Sequence, residues 1–247
     1  MKKIHKIAFI ILLSILLNGC LSDSQKEETG MSDVTKEHTT TISTNEDLST
    51  SLRITYSEGF YFEPISDEVR KRITGKSYPE NCDYSLDNLR YVKVKYYDFD
   101  NNIKEGELIV NSKIALDIVE IFKELFDAGY QIEKIKLIDE YDANDDKSMA
   151  DNNSSAFCYR VVDGTNTLSD HSYGMAIDIN PLYNPYVRTE YGDRNILPVN
   201  AAEYADRTKD FEHKIEKGDV CYKAFIKRGF KWGGEWEGTV DYQHFYK

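Results

Sequence analysis

Ser169-Asp170-His171-Ser172-Tyr173-Gly174-Met175-Ala176-Ile177-Asp178 holds a histidine and an aspartate seven positions apart, with a glycine and a small alanine between them. If Gly174 opens a strand, Ala176, Asp178 and Asn180 point to one face and Met175, Ile177 and Ile179 to the other. Asp178 is then a carboxylate inside an apolar stretch. Burying an unpaired carboxylate costs several kcal/mol, so this one requires a cation, hydrogen-bond donors or a metal. The nearby His171 points to a metal.

The C-terminus carries a second cluster, Trp232-Gly233-Gly234-Glu235-Trp236 followed by Asp241-Tyr242-Gln243-His244-Phe245. His244 supplies another imidazole and Asp241 another carboxylate. Two imidazoles and one carboxylate leave a position open for water on tetrahedral zinc, the catalytic rather than the structural pattern. The same set suits iron, but nothing in the chain suggests an oxygenase co-substrate site, so zinc is favoured. Asp241 and His244 are three positions apart and face opposite sides of a regular strand. Both reach one site only if the chain turns or bulges between them. Gly233-Gly234 permits a tight backbone turn beside them.

The two segments together resemble a known family. Ser169-x-His171-x-x-Gly174-x-Ala176-x-Asp178 is similar to the S-x-H-x-x-G-x-A-x-D signature of the VanY-like D-alanyl-D-alanine carboxypeptidase and L-alanyl-D-glutamate endopeptidase family. Asp241-x-x-His244 resembles its second motif, and similar context runs from Gly75-Lys76-Ser77-Tyr78 through Asn152-Asn153-Ser154-Ser155-Ala156-Phe157 to Ile179-Asn180-Pro181. The resemblance implies that His171, Asp178 and His244 ligate Zn2+, that Asp241 is the general base, and that Arg160 steadies substrate and the developing oxyanion. It implies that Ser169 orients the first motif, and Tyr173 and Trp236 are candidates for the substrate groove, as are Tyr183 and Tyr186. Zinc bound by such a set brings the pKa of its water to about 7.

The implied function is a zinc metallopeptidase hydrolysing peptidoglycan stem peptides, of the D-alanyl-D-alanine carboxypeptidase type. An L-Ala-D-Glu endopeptidase of the same family is the alternative, and Asp rather than Glu before x-x-His lies closer to that branch. An inactive zinc-containing cell-wall binding module is a reading of a different class, against which the presence of both Asp241 and Arg160 speaks. The implied fold is α+β: a small mixed sheet with helices packed on one side, like that of hedgehog and DD-peptidase domains.

Outward from these motifs, Val92, Val94 and Tyr96 alternate with Lys93 and Lys95, and a turn at Asp100-Asn101-Asn102 leads into Glu107-Leu108-Ile109-Val110, which predicts a hairpin. Asn111 or Ser112 is a candidate cap for a helix carrying Ile114, Ile118, Ile121, Phe122 and Leu125, ended by Gly129. Ile135 and Leu137 continue as a strand, 139–153 reads as a long acidic loop, and 155–162 as a strand. Further on, 175–180 is a strand, 219–228 a helix stopped by Gly229, and 230–232 and 240–246 are closing strands. No regular βαβ alternation is visible, which favours α+β over a doubly wound fold.

At the N-terminus, Met1-Lys2-Lys3-Ile4-His5-Lys6 is basic, and Ile7 to Leu17 is apolar apart from Ser14. The run is shorter than the ~20 residues a membrane span needs, and reads as an export signal. Leu17-Asn18-Gly19-Cys20 then resembles a lipoprotein signal with Cys20 as the lipidated residue. Residues 1–20 are thus expected to be signal peptide and lipobox, 21–51 a polar flexible tether, and 52–247 the peptidase domain, extracytoplasmic and lipid-anchored to a bacterial membrane.

Beyond Cys20 three cysteines remain, Cys82, Cys158 and Cys221. Their spacing matches no zinc cluster or nucleophile motif, so core packing is expected and at least one stays unpaired. A formal net charge of −12 over 247 residues argues against nucleic-acid binding. The expected partner is a peptidoglycan stem peptide, and a monomer is expected. His213, in a charged stretch outside both motifs, is expected to be exposed.

Overall fold

The computed structural model describes residues 52–188 and 195–247. The expected signal peptide, Cys20 and the tether lie outside the described residues.

The first half builds a platform. Strands β1 (Ile54–Ser57) and β2 (Phe60–Pro64) lead into helix α1 (Asp67–Ile73), whose N-cap Ser66 accepts from the Val69 amide. Strands β3 (Leu89–Tyr97) and β4 (Ile103–Asn111) form the hairpin predicted from alternation, and the Asp98 carboxylate closes its turn by accepting from the amides of Asp100 and Asn102. The sheet is antiparallel in the order β1-β2-β3-β4. Helix α2 (Ala115–Asp127) packs its Ile118, Ile121, Phe122 and Leu125 against Val92, Val94 and Leu108. Gly129 ends it with φ +67°, as the sequence suggests. α1 covers the opposite face, its Val69 and Ile73 meeting Leu89, Tyr91 and Ile109.

The second half is made of short pieces. They are β5 (Lys134–Ile135), helix α3 (Asp145–Ala150), β6 (Asn153–Ser154), β7 (Ala176–Asp178), β8 (Tyr186–Val187) and β9 (Ile196–Leu197). After them come helix α4 (Val220–Ile226), β10 (Lys231–Trp232), β11 (Val240–Asp241) and β12 (His244–Tyr246). Three more small sheets result among the described residues: β10-β12-β7, β11-β8-β9 and the parallel pair β5-β6. The class is α+β, but the strands divide into several small sheets rather than one mixed sheet, and α1 and α2 cover opposite faces of the largest. β3 is long enough to present apolar residues on both faces, so both need cover.

Four local expectations are corrected. Neither Asn111 nor Ser112 caps α2; Ile114 is its N-cap, and the Asn111 side-chain Nδ2 instead donates to Tyr84 Oη at 2.6 Å and to the Tyr173 carbonyl at 2.9 Å. The acidic stretch 139–153 is not one loop. It contains a 3-10 turn at Ile138–Tyr141 and α3, capped by Asn144, with Ser148 and Met149 buried. The strand expected over 155–162 does not form; two isolated bridges stand there, Ser155 with Asp178 and Val161 with Leu168, and the short β6 ends just before them. Residues 240–246 are two strands, β11 and β12, in different sheets. As expected of core cysteines, Cys158 and Cys221 are buried, and both they and Cys82 are free thiols. No helix among the described residues is long and apolar enough to cross a membrane.

Gly174 joins the halves. Its φ is +64°, its carbonyl accepts from the Asn111 amide at 2.8 Å, and a Cβ there would lie 2.7 Å from that amide nitrogen. Left-handed strain and a clash with backbone act together, so Gly174→Ala is expected to cost about 2–4 kcal/mol. Chemical denaturation checks this, and an unchanged midpoint would refute the contact.

Candidate metal centre

His171 sits in a 3-10 turn at Asp170–Tyr173 that Ser169 starts and Gly174 ends; the Ser169 hydroxyl accepts from the His171 amide at 3.3 Å. The His171 side chain is fixed by a backbone group the motif does not contain. Its Nδ1 lies 2.5 Å from the carbonyl oxygen of Ala156, which makes Nδ1 the protonated nitrogen and leaves the Nε2 lone pair facing inward. Asp178 ends β7. The antiparallel register of β7 with β12 sets His244 directly opposite it, Phe245 opposite Ile177 and Tyr246 opposite Ala176. Directly opposed residues project from the same face, so the motifs, 66 positions apart, deliver their side chains together.

The three groups meet. His171 Nε2 is 3.2 Å from His244 Nδ1 and 3.2 Å from Asp178 Oδ2, and His244 Nδ1 is 3.1 Å from Asp178 Oδ1. All three residues are at least nine-tenths buried. Zinc bonds of about 2.0–2.1 Å at the tetrahedral angle separate donor atoms by ~3.3 Å, so the set fits one small cation. Electrostatics agree. Burial alone would raise the Asp178 carboxyl, yet His171 and His244 hold it well below the usual carboxylate range. Burial would lower the His244 imidazole, but Asp170 and Asp178 outweigh it and push it up to about 10. This is a pocket that gathers positive charge.

The centre opens on a cavity of about 300 Å³ lined by Ser169, Asp170, Asp241, Arg160, Asp145, Tyr186, Trp236 and the three candidate ligands. The required turn between Asp241 and His244 exists: β11 ends at Asp241, Tyr242 and Gln243 redirect the chain, and β12 begins at His244. Gly233 makes room, since a Cβ there would sit 2.6 Å from the Asp241 carbonyl oxygen. Asp241 is half-buried, and its Oδ1 is sealed from solvent with no hydrogen-bond partner. Burial, reinforced by the Asp178 charge, raises its carboxyl above the ordinary range against the opposing pull of His244.

Arg160 borders the same cavity, with Nη2 2.7 Å from Asp145 Oδ2. Trp236 forms a wall beside His244, ring centroids 5.6 Å apart, and donates to Tyr246 Oη. Tyr173 does not line the cavity; it is exposed and packs edge-on against Tyr84. Tyr183 also lies elsewhere, in an aromatic cluster with Phe99 and His213. The expectation of an exposed His213 is corrected there: its ring stacks on Phe99 at 3.5 Å between centroids, because aromatic neighbours distant in sequence close over it. Two contributors escaped sequence reading. The Ala156 carbonyl has no side-chain signature, and Asp145 lay in a stretch read as loop, although Asn144 before it was a legible cap.

Two imidazoles and a carboxylate gathered for a cation, facing a cavity with a spare carboxylate and an arginine, define a metal-capable centre of the hydrolase kind. Residues 163–247 match the family described as D-alanyl-D-alanine carboxypeptidase, which supports the VanY-like family resembled in sequence. The matched segment contains both motifs and stops short of Arg160 and Asp145. No curated protein and no solved structure matches the chain.

His171→Ala is expected to abolish stoichiometric metal binding, whereas Asp241→Ala retains it, because Asp241 is not one of the three converging donors. Elemental analysis after dialysis distinguishes them, and equal metal loss in both would make Asp241 a ligand.

Proposed function

We propose that the chain is a zinc peptidase that hydrolyses peptidoglycan stem peptides, of the D-alanyl-D-alanine carboxypeptidase type. The observation that carries this reading is the convergence of His171, Asp178 and His244 beside Asp241, within a segment matching a carboxypeptidase family. His171 Nε2, His244 Nδ1 and Asp178 would hold the zinc, which when bound supplies Lewis acidity and makes water a nucleophile near neutral pH.

The chain's own groups do the rest. Asp241, already inclined to hold a proton, takes one from the attacking water at its carboxylate and returns it to the leaving amine, a contribution of roughly 10²–10⁴-fold. Arg160 presents a fixed positive charge to the scissile carbonyl oxygen as negative charge develops there. Ser169 keeps the His171 turn in place, and Trp236 with Tyr186 bounds the space the peptide enters. Asp170 lies near the outer nitrogen of His244, Oδ2 to Nε2 at 3.9 Å, and its negative charge favours the charged form of that ring.

Muropeptides with intact pentapeptide stems test the reading. Released D-alanine, identified by mass, is the expected product, and Asp241→Ala loses at least 10²-fold in turnover while keeping zinc. A cut after L-alanine would instead make the chain an endopeptidase. Stoichiometric zinc with no cleavage of any stem would make it a binding module.

The basic and apolar N-terminus ending in Cys20 supports an extracytoplasmic, lipid-anchored protein. Full-length protein in a bacterial host is expected to fractionate with membranes and to take up labelled fatty acid, and Cys20→Ser to lose the label. Retention of label by that variant would refute the assignment.

A further inference from the structure

Arg160 reaches the cavity from a segment with almost no ladder of its own, so something other than a strand must fix its guanidinium. Its backbone is bracketed by the first motif: the Arg160 amide donates to Ser172 Oγ at 2.9 Å, and the Arg160 carbonyl accepts from Ser172 Oγ at 2.6 Å and from the Ser169 amide at 3.0 Å. Its side chain is bracketed by Asp145, 2.7 Å from Nη2. The two side chains are only 28% and 25% exposed, so the pair is not a solvated surface contact of small consequence. Burial opposes the charge on Arg160, and Asp145 leads the groups that overcome this, followed by Cys158, Asp178 and Asp241.

Asp145 is itself fixed. It is the first residue of α3, directly after the cap Asn144, whose side-chain oxygen accepts from the Lys147 amide at 2.9 Å. Ser148 of the same helix is fully buried and accepts from Asn153 Nδ2 at 3.0 Å, while Asn153 Oδ1 accepts from the Lys136 amide at 2.8 Å. A continuous set of bonds therefore runs from the β5–β6 pair through α3 to Asp145 and on to Arg160.

Resting on the reading that Arg160 meets the substrate carbonyl, we infer that Asp145 is a positioning residue that holds the Arg160 guanidinium at the cavity wall in its working orientation. An arginine has many rotamers and a directional fork of donors, and one carboxylate held against Nη2 at the same cavity wall selects among those rotamers and fixes the plane of the fork. A displacement on the order of 1 Å in such a group costs about 10²-fold in rate.

Asp145→Asn keeps the size of the side chain and removes its charge. In full-length protein with zinc content unchanged, it is expected to lower kcat/KM on muropeptides by about 10- to 100-fold. In an Arg160→Ala background the same substitution has no further effect, since there is nothing left to position. Nitrogen-15 NMR of the Arg160 guanidinium reads positioning without turnover: restrained Nη protons in the wild type are expected to average in the variant. Asp145→Ser serves the same comparison if the asparagine variant folds poorly. The inference is overturned if an active wild type loses less than twofold, if the two losses multiply in the double variant, or if the guanidinium stays restrained. A wild type that cuts no stem peptide while the guanidinium loosens in Asp145→Asn would sink the peptidase reading and leave the positioning role standing.

Discussion

A buried carboxylate, Asp178, is the constraint around which the rest of the C-terminal half is arranged. It ends a strand whose other residues pack into the core, where an ionised carboxyl is unstable without positive charge or donors. The register of β7 against β12 answers this by setting His244 across from it, and the 3-10 turn before β7 brings His171 to its other side. The two imidazoles offset the cost of burial through direct contacts with the Asp178 oxygens, so the same contacts that make the site suitable for metal also hold the strands in register.

The platform of β1 to β4 and α2 keeps that arrangement rigid. Its apolar core is continuous with Ile177 of β7 and Phe245 of β12, and Gly174 approaches the end of β4 without a side chain to obstruct it. Behind β12, Phe245 stacks on Phe225 of α4 at 4.1 Å between centroids, so the strand bearing His244 is pinned from the face opposite the centre. Ligand geometry thus depends on packing far from the ligands, as a preformed centre requires.

The site is asymmetric in how it is built. One wall, with His171, Asp178, Asp241 and His244, comes from strands and turns encoded in two compact motifs. The other, with Arg160 and Asp145, comes from irregular chain and a six-residue helix, secured by side-chain bonds instead of ladders. The family match covers the first wall and not the second.

The sequence by itself determined the hairpin, the long helix with its Gly129 end, the short helix before Gly229 and the three candidate ligands, because each rests on local periodicity, capping chemistry or a motif of close spacing. It also showed that Asp241 and His244 needed a break between them. Only the tertiary structure decided how that break is made, with the chain leaving one small sheet at Asp241 and entering another at His244. Tertiary structure likewise decided that Asn111 secures the motif turn instead of capping α2, that the Ala156 carbonyl sets the His171 tautomer, that His213 is covered by Phe99, and that α3 carries Asp145 to Arg160. Each of these is a contact between residues distant in the chain, mostly through backbone groups or two-residue strands. Such contacts leave no period in the sequence, because their energy exists only once both partners are in place.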